Sequence, residues 1–248
     1  MKFGLKLWST NTHLIPQAVN LIDEKIFDYI ELFVVPTTPI NPFILDIPYV
    51  IHIPHDRYGV DINDAKKNKH SLQIINECQI WADKLNAQYL ILHPGEGSLQ
   101  QGAGLLRELT DNRILIENMP RVGINDEDMS GYSPDQIKEL IGESEKGFCL
   151  DLHHAVKAAV SMKRDYKEII RDFLTIQPKI FHISDGDIKN EKDHHQDIGT
   201  GSFDFAFFKE CIENSESKII TLETPRRNHF SFYNDVKNIK ILHTMWNL

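Results

Sequence analysis

The sequence contains few cysteines and no long apolar segment. Its three cysteines, Cys78, Cys149 and Cys211, lie far apart and form no Cys-x-x-Cys pair, which excludes a disulfide framework and a cysteine-based zinc finger. No apolar run approaches the roughly 20 residues that a membrane-spanning helix needs. Met1 to Phe3 opens a strand rather than a signal peptide, so we expect a cytoplasmic protein without membrane contact.

Positive charge is also scarce, whereas histidine is abundant. The 27 Lys and Arg residues are outnumbered by 36 Asp and Glu residues, which gives a formal net charge of −9. This balance offers no broad basic surface for nucleic acid. The chain contains 12 histidines, and its function is therefore to be sought in the histidines and carboxylates.

The length and composition predict one globular domain over residues 1–248. The chain is 41% hydrophobic and 25% charged, which is ample for a proper core. Eight short apolar runs have strand length and are mostly continuous, as in strands buried on both faces: Phe3–Trp8, Tyr29–Val35, Tyr49–Pro54, Tyr89–His93, Arg113–Met119, Gly147–Leu152, Ile180–Ser184 and Ile219–Thr224. Segments with helical spacing or helix-start signals lie between them: Leu14–Phe27, Ala65–Leu85, Leu99–Leu109, the start at Ser133-Pro134-Asp135, Val156–Ile176 and Val236–Met245.

A strand followed by a helix, repeated eight times, predicts an α/β fold of the closed (β/α)₈ TIM barrel type. An open doubly wound sheet is the alternative. No Gly-rich dinucleotide turn follows the first strand, where Gly4 stands alone, and this favours the barrel. In a barrel the active site lies at the carboxyl ends of the strands.

The predicted strands end in residues that bind metals. Histidines and carboxylates follow the third to eighth strands or precede the eighth: His52, His55, His93, Glu117, Asp151, His153, His154, His182, Asp193, His194, His195 and Glu223. A single such histidine is commonly a hydrogen-bonded structural residue. Carboxylates crowded into one cavity are costly when unpaired, however, and a bound cation removes that cost. Mixed histidine and carboxylate ligands therefore predict a site for zinc or manganese.

Seven short motifs follow one another in an order that resembles endonuclease IV, within the wider xylose-isomerase-like barrel superfamily. They are Pro54-His55-Asp56-x-Tyr58, His93-Pro94-Gly95, Ile116-Glu117-Asn118, Asp151-x-x-His154-Ala155, His182-x-x-Asp185, Asp193-x-His195 and Leu222-Glu223-Thr224. Each motif alone is weak, whereas all seven in this order are a strong match. The resemblance implies a zinc-dependent phosphodiesterase that cleaves DNA at abasic sites.

The resemblance also implies three zinc ions and nine ligands. The implied ligands are His55 and His93 for the first ion, Asp151, His182 and Glu223 for the second, His154, Asp193 and His195 for the third, and Glu117 as the bridge between the first two. Two ions about 3.5–4 Å apart would hold the attacking hydroxide, and the third would polarise a phosphate oxygen. Glu117, which contacts both of the first two ions, is the predicted catalytic residue.

One position of this ligand set has an alternative. His52 lies in a His-x-Pro sequence typical of this strand end and could replace His55. We favour His55 because the residues that follow it extend the match.

Two pairs of adjacent histidines, His153-His154 and His194-His195, each offer two possible metal ligands. The spacing to the neighbouring motif residues favours His154 and His195. We expect their neighbours His153 and His194 to support the ligands from behind or to be exposed.

The substrate is less clearly indicated than the metal site. The segment Val35–Pro39 after the second strand has no Arg or Lys that could contact a DNA groove. Candidate phosphate contacts are Arg57, Arg121, Arg226 and Arg227, and Tyr58 could stack beside an abasic gap. We expect the protein to be a monomer.

A one-metal sugar isomerase or epimerase is the alternative function, with manganese held by Glu117, Asp151, His182 and Glu223. A hydrolase of a small phosphorylated compound is a third hypothesis. His93, His154 and the Asp193-x-His195 pair favour the phosphodiesterase, because a one-metal isomerase does not need them.

Overall fold

Eight parallel strands close into a barrel in the computed structural model, which describes residues 1–142 and 144–248. Within these residues the strands are β1 (Lys2–Trp8), β2 (Tyr29–Phe33), β3 (Tyr49–His52), β4 (Leu90–Leu92), β5 (Ile114–Glu117), β6 (Gly147–Asp151), β7 (Ile180–Ile183) and β8 (Ile219–Leu222). Each pairs with the next, and β1 also pairs with β8, where Leu5 is opposite Leu222. The predicted (β/α)₈ barrel is confirmed.

Helices surround this barrel and lie between most of the successive strands. In the described part of the chain they are α1 (Ile15–Asp23), α2 (Asn68–Lys84), α3 (Leu99–Glu108), α4 (Pro134–Ile141), α5 (Leu152–Met162), α6 (Tyr166–Leu174), α7 (Phe205–Glu213) and α8 (Tyr233–Trp246). As its sequence predicts, α4 starts at a serine cap, where Ser133 Oγ accepts from Gln136 N at 3.3 Å. No helix within residues 1–142 or 144–248 has the length and apolarity needed to cross a membrane.

The helical pattern departs from the prediction at two places. The single helix predicted over Val156–Ile176 is wrong, because α5 ends where Lys163 adopts a left-handed conformation with φ 55°. A new helix starts after Asp165, whose side chain accepts from Lys167 N at 2.7 Å. After β2, in the described residues, the chain forms only a short 3₁₀ helix at Asn41–Phe43 instead of an α-helix.

Two successive layers of side chains occupy the upper part of the barrel interior, because side chains two residues apart on a strand point to the same face. The lower layer, which we call the apolar floor, is one buried cluster formed by Tyr29, Val50, Ile91, Leu115, Cys149 and Ile180. Two residues further along each strand lies a polar or charged side chain. We call this upper layer the polar ring: Lys6, Glu31, His52, His93, Glu117, Asp151, His182 and Glu223.

Tyr29 closes the floor beneath the polar ring. Its ring lies across β1 at Gly4, where a Cβ atom would come within 2.4 Å of the aromatic carbons. The hydroxyl of Tyr29 lies 2.7 Å from Thr221 Oγ1 on β8. Glycine at position 4 therefore allows one aromatic side chain to fill the barrel and to separate the ring from the lower barrel end.

Candidate metal centre

The polar ring lies at the base of a cavity at the carboxyl ends of the strands. The cavity has a volume of about 620 Å³. Its lining includes ring residues from β1, β3, β4 and β8, and residues of the loops that follow the strands. This is the position of the active site expected for a barrel.

Four members of the polar ring bring their ligand atoms together. Glu117, Asp151, His182 and Glu223 each offer one atom within 4.8 Å of the other three. His182 Nδ1 lies 3.1 Å from Glu117 Oε1 and 3.2 Å from Glu223 Oε1. Asp151 Oδ2 is buried and has no hydrogen-bond partner among the described residues. Such an unpaired oxygen among other oxygen and nitrogen donors suits a divalent cation.

Histidines from β3 and β4 approach the other oxygen of Glu117. His93 Nε2 lies 3.0 Å from Glu117 Oε2, and His52 Nε2 lies 3.5 Å from the same atom. His55 sits further out, with its ring stacked on His93 at 5.6 Å between centroids and its Nδ1 2.7 Å from Asp56 Oδ1. The structure thus places both His52 and His55 beside His93.

A second group of donors lies where β6 passes directly into α5. We call it the outer cluster, formed by His153, His154, Asp193 and His195. Asp151 caps α5 by accepting from the backbone N of His154 at 2.7 Å, which places His153 and His154 in the first turn of the helix. Asp193 and His195 come from the loop between β7 and α7.

The imidazoles of His154 and His195 are oriented by backbone carbonyls. His154 Nδ1 lies 2.8 Å from the carbonyl oxygen of Asn118, and His195 Nδ1 lies 2.6 Å from that of Glu223. Their Nε2 atoms lie 3.4 and 3.0 Å from Asp193 Oδ1. That oxygen is buried and has no hydrogen-bond partner within residues 1–142 and 144–248. Histidines held through one nitrogen with the other facing an unpaired carboxylate are typical of metal ligands.

Lys6 and Glu31 were missed as site residues by the sequence analysis. Lys6 Nζ lies 2.7 Å from Glu31 Oε1 and also contacts Glu223. Glu31 Oε2 lies 3.0 Å from His182 Nε2 and accepts from Thr221 Oγ1 at 2.5 Å. The available signal was a charged residue in the middle of an otherwise apolar predicted strand.

The buried charges of the polar ring strongly shift one another's ionisation. Burial opposes the charge of Glu117, but His182 and His93 outweigh it and hold the pKa of Glu117 well below its usual value. Burial also opposes a charge on His182, yet the facing carboxylates raise the pKa of His182 well above normal. For Lys6, Glu223 and Glu31 outweigh burial and raise the pKa of the ammonium.

The outer cluster shows the same competition. Burial lowers the pKa of His195, but Asp193 outweighs burial and raises it to about 9. The pKa of His154 is raised well above its usual value, because Asp151 and Asp193 outweigh burial. Burial holds the pKa of His153 well below its usual value. Protons on His154 and His195 and a bound cation are thus alternative ways to balance these carboxylates, and metal binding releases the protons.

The predicted substrate contacts lie at the rim of the cavity. Arg57 is exposed and lines the cavity, whereas Tyr58 packs its ring against Phe33 at 5.7 Å and His55 at 6.2 Å between centroids. Arg226 also lines the cavity, but its side chain is only 4% exposed, and Asp235 accepts from its Nε at 3.0 Å and from its Nη2 at 2.6 Å.

The other two predicted phosphate contacts are more peripheral. Arg121 is exposed and lies over the ring of Tyr132 at 5.6 Å. Arg227 is 72% exposed and pairs with Asp197 at 3.1 Å.

The fold and the donor clusters define a (β/α)₈ barrel with groups of His, Asp and Glu side chains placed as in a metal site. The chain belongs to the xylose isomerase-like TIM barrel family, because the sequence pattern of that family matches residues 44–244. A probable endonuclease 4 of Carboxydothermus hydrogenoformans is 27% identical over 210 residues, which cover 72% of this chain and 70% of the relative.

Two solved structures show how widely this barrel is shared. Endonuclease IV from Thermus thermophilus matches with a TM-score of 0.72 and 18% identity, over 100% of this chain and 99% of that one. A D-tagatose 3-epimerase-like protein matches with a TM-score of 0.76 and 18% identity, over 100% and 97% of the two chains. At this identity the likeness shows the fold alone, and the function has to be argued from the site.

Proposed function

We propose that this protein is a zinc-dependent phosphodiesterase that cleaves DNA at abasic sites. The observation that carries the proposal is the outer cluster beside the polar ring. A sugar epimerase needs one metal, and Glu117, Asp151, His182 and Glu223 suffice to hold it. The additional donors of the outer cluster, with a carboxylate oxygen unpaired in the described part of the chain, favour the binding of further ions.

The proposed ligands are those implied by the resemblance. His55 and His93 would hold one ion, and Asp151, His182 and Glu223 would hold a second, with Glu117 shared between these two. His154, Asp193 and His195 would hold a third. When bound, zinc supplies a water of lowered pKa and positive charge beside the phosphate.

The two oxygens of Glu117 support its bridging role. Oε2 faces His93 at 3.0 Å, and Oε1 faces His182 at 3.1 Å on the opposite side. A carboxylate held between two sets of histidines can donate one oxygen to each of two neighbouring ions. Because Glu117 is fully buried, it keeps this orientation without competition from solvent.

Arg226 and Arg57 are the proposed phosphate contacts. Asp235 and the Lys6 carbonyl hold Nε and Nη2 of Arg226, whereas its Nη1 has no partner among the residues that the structure describes. This nitrogen, on a side chain that lines the cavity, is the proposed donor to a phosphate oxygen. Arg57 adds an exposed positive charge at the rim, and Tyr58 supports this part of the rim beside the abasic gap.

The reaction is an in-line hydrolysis. The oxygen of water forms a bond to phosphorus, and the bond between phosphorus and the leaving sugar oxygen breaks. The proton lost by water ends on the leaving oxygen or in solvent. No serine or cysteine nucleophile is needed, since the chain's residues hold and orient the reacting groups.

The direct test is incubation of the zinc-loaded protein with a duplex that contains one abasic analogue, with an intact duplex and EDTA as controls. We expect nicking at the abasic position only, and its loss with EDTA. His195→Ala is expected to abolish nicking, whereas His194→Ala, which alters an exposed neighbour in the same loop, is expected to retain it. Absence of nicking by protein that holds its full zinc complement would contradict the proposal.

A sugar epimerase is the second candidate, and the grouping of Glu117, Asp151, His182 and Glu223 favours it. These carboxylates could exchange a proton with a carbon next to a carbonyl. This function predicts one metal equivalent, with manganese supporting activity, and no effect of His195→Ala on ketose conversion. A full zinc complement without nicking would instead direct the search to small phosphorylated compounds.

A further inference from the structure

We propose that His153 is a fourth protein ligand of the outer site, so that His153, His154, Asp193 and His195 together hold one zinc ion. The inference rests on the metal part of the proposed function and not on its substrate. It changes the outer site from three ligands with an open position to a set that is complete for a tetrahedral ion.

The hydrogen bonds of His153 fix which of its nitrogens carries the proton. Its Nδ1 lies 3.2 Å from the carbonyl oxygen of Asp185 and 3.0 Å from Ser184 Oγ. A carbonyl oxygen can only accept, so Nδ1 donates its proton to it. In the neutral imidazole, Nε2 is then an unprotonated acceptor.

That second nitrogen faces another acceptor inside the protein. His153 is fully buried, and within the described ranges its Nε2 has no hydrogen-bond partner. It lies 3.4 Å from Asp193 Oδ1, which is also buried and, across those same ranges, unpartnered. Two acceptors facing each other without a proton repel, and burial away from water makes the arrangement unfavourable. A cation bound by both atoms removes the repulsion.

The distances from the three imidazoles to Asp193 Oδ1 match those expected for ligands of one tetrahedral zinc ion. Atoms bound to such an ion at about 2.0–2.1 Å lie about 3.3 Å from one another. The Nε2 atoms of His153, His154 and His195 lie 3.4, 3.4 and 3.0 Å from Asp193 Oδ1. All three imidazoles are also oriented in the same way, each with Nδ1 on a backbone carbonyl. His153 is therefore oriented toward Asp193 in the same way as His154 and His195.

The fourth ligand has a consequence for the reaction. An ion with three protein ligands offers its fourth position to substrate, whereas an ion with four must expand its coordination to accept a phosphate oxygen. His153 thus makes the outer ion more tightly held and less exposed. His153 thus changes the affinity and the open coordination of the outer ion only, and the ligands of the ions in the polar ring are unaffected.

The test compares His153→Asn with His194→Asn. The asparagine at 153 retains a donor for the Asp185 carbonyl but lacks Nε2, and His194 is an exposed histidine of the loop that carries Asp193. After dialysis against a zinc chelator, we expect three zinc equivalents in the wild type and in His194→Asn, and two in His153→Asn. The affinity of the outer site is expected to fall by at least about 10-fold. Equal zinc retention by His153→Asn and the wild type would overturn the inference.

A second measurement needs no variant and covers the case in which His153→Asn does not fold. Long-range ¹H–¹⁵N spectra of the wild type report each imidazole nitrogen, and we expect zinc to shift Nε2 of His153, His154 and His195 together. A shift of the last two without His153 would refute the fourth ligand. Protein that holds three zinc ions, loses one in His153→Asn and nicks no DNA would contradict only the proposed function.

Discussion

Replacing Arg226 by methionine should destabilise the protein strongly, because it removes the partner of a buried carboxylate. The side chains of Arg226 and Asp235 are 4% and 7% exposed. The guanidinium donates to both oxygens of Asp235 and to the Lys6 carbonyl. It also lies over the rings of Trp8 at 5.5 Å and Phe232 at 4.7 Å. This arrangement connects β1, the loop after β8 and α8.

The expected cost follows from the burial of the pair. Removing one partner of a buried ion pair costs about 3–5 kcal/mol, because the other charge stays buried without compensation. Burial raises the pKa of Asp235 even with Arg226 present, so part of the cost is relieved by protonation of the carboxyl group. For a chain of this size about 1 kcal/mol lowers the Tm by roughly 2–4 °C. Arg226→Met should therefore lower the Tm by roughly 6–20 °C.

Thermal unfolding followed by circular dichroism, supported by urea titration, measures this loss. Arg227→Met is the matched control, since Arg227 is 72% exposed and its pair with Asp197 is of the exposed kind that contributes about 1 kcal/mol or less. Adding Asp235→Asn to Arg226→Met should recover part of the stability, because the unpaired charge is then absent. An Arg226→Met protein that unfolds within about 1 kcal/mol of the wild type would refute the reasoning.

Three further predictions concern the metal centre. Glu31→Gln should lower zinc affinity about 10–100-fold, because Glu31 orients His182 through a 3.0 Å contact. Competition with a chromophoric chelator measures the affinity, and an unchanged value would contradict this orienting role of Glu31. His55→Ala should lose one zinc equivalent and His52→Ala none in elemental analysis, because His55 is the ligand that the resemblance implies. The reverse result would assign the ligand to His52, whose Nε2 lies 3.5 Å from Glu117 Oε2. Zinc at about 100 times its Kd should stabilise the chelator-treated protein by about 2.7 kcal/mol for each site filled, which calorimetry would detect as a Tm that rises with zinc concentration.

The barrel could be predicted from sequence because its strands are continuous apolar runs. Buried on both faces, these strands leave a signal that does not depend on tertiary contacts. The ring residues that end β5 and β6, such as Glu117 and Asp151, were visible because a charge follows directly after the apolar run. Lys6 and Glu31 were not predicted as site residues, because a single charged residue within a strand is usually interpreted as solvent-exposed. Only the direction of its side chain shows that it points into the barrel.

Two other features depend on backbone conformation and tertiary contacts. The apolar periodicity continues from α5 into α6, and the break between them is set by the left-handed residue Lys163. The orientation of His153 follows from Ser184 and Asp185, which come from the loop after β7. The spacing of residues within one segment of the sequence does not indicate where a hydrogen-bond partner on another segment will lie.

The apolar floor and the polar ring have different roles in the barrel. The floor contributes to the stability of the fold, and the ring carries the candidate metal ligands. Tyr29 and the rest of the apolar floor fill the barrel beneath the ring with uncharged side chains, whereas each polar ring residue depends on its neighbours. Ring residues could therefore be exchanged in compensating sets, as apolar replacements for buried ion pairs are commonly tolerated. New chemistries can thus evolve above an unchanged floor, which accounts in physical terms for one barrel architecture serving unrelated reactions.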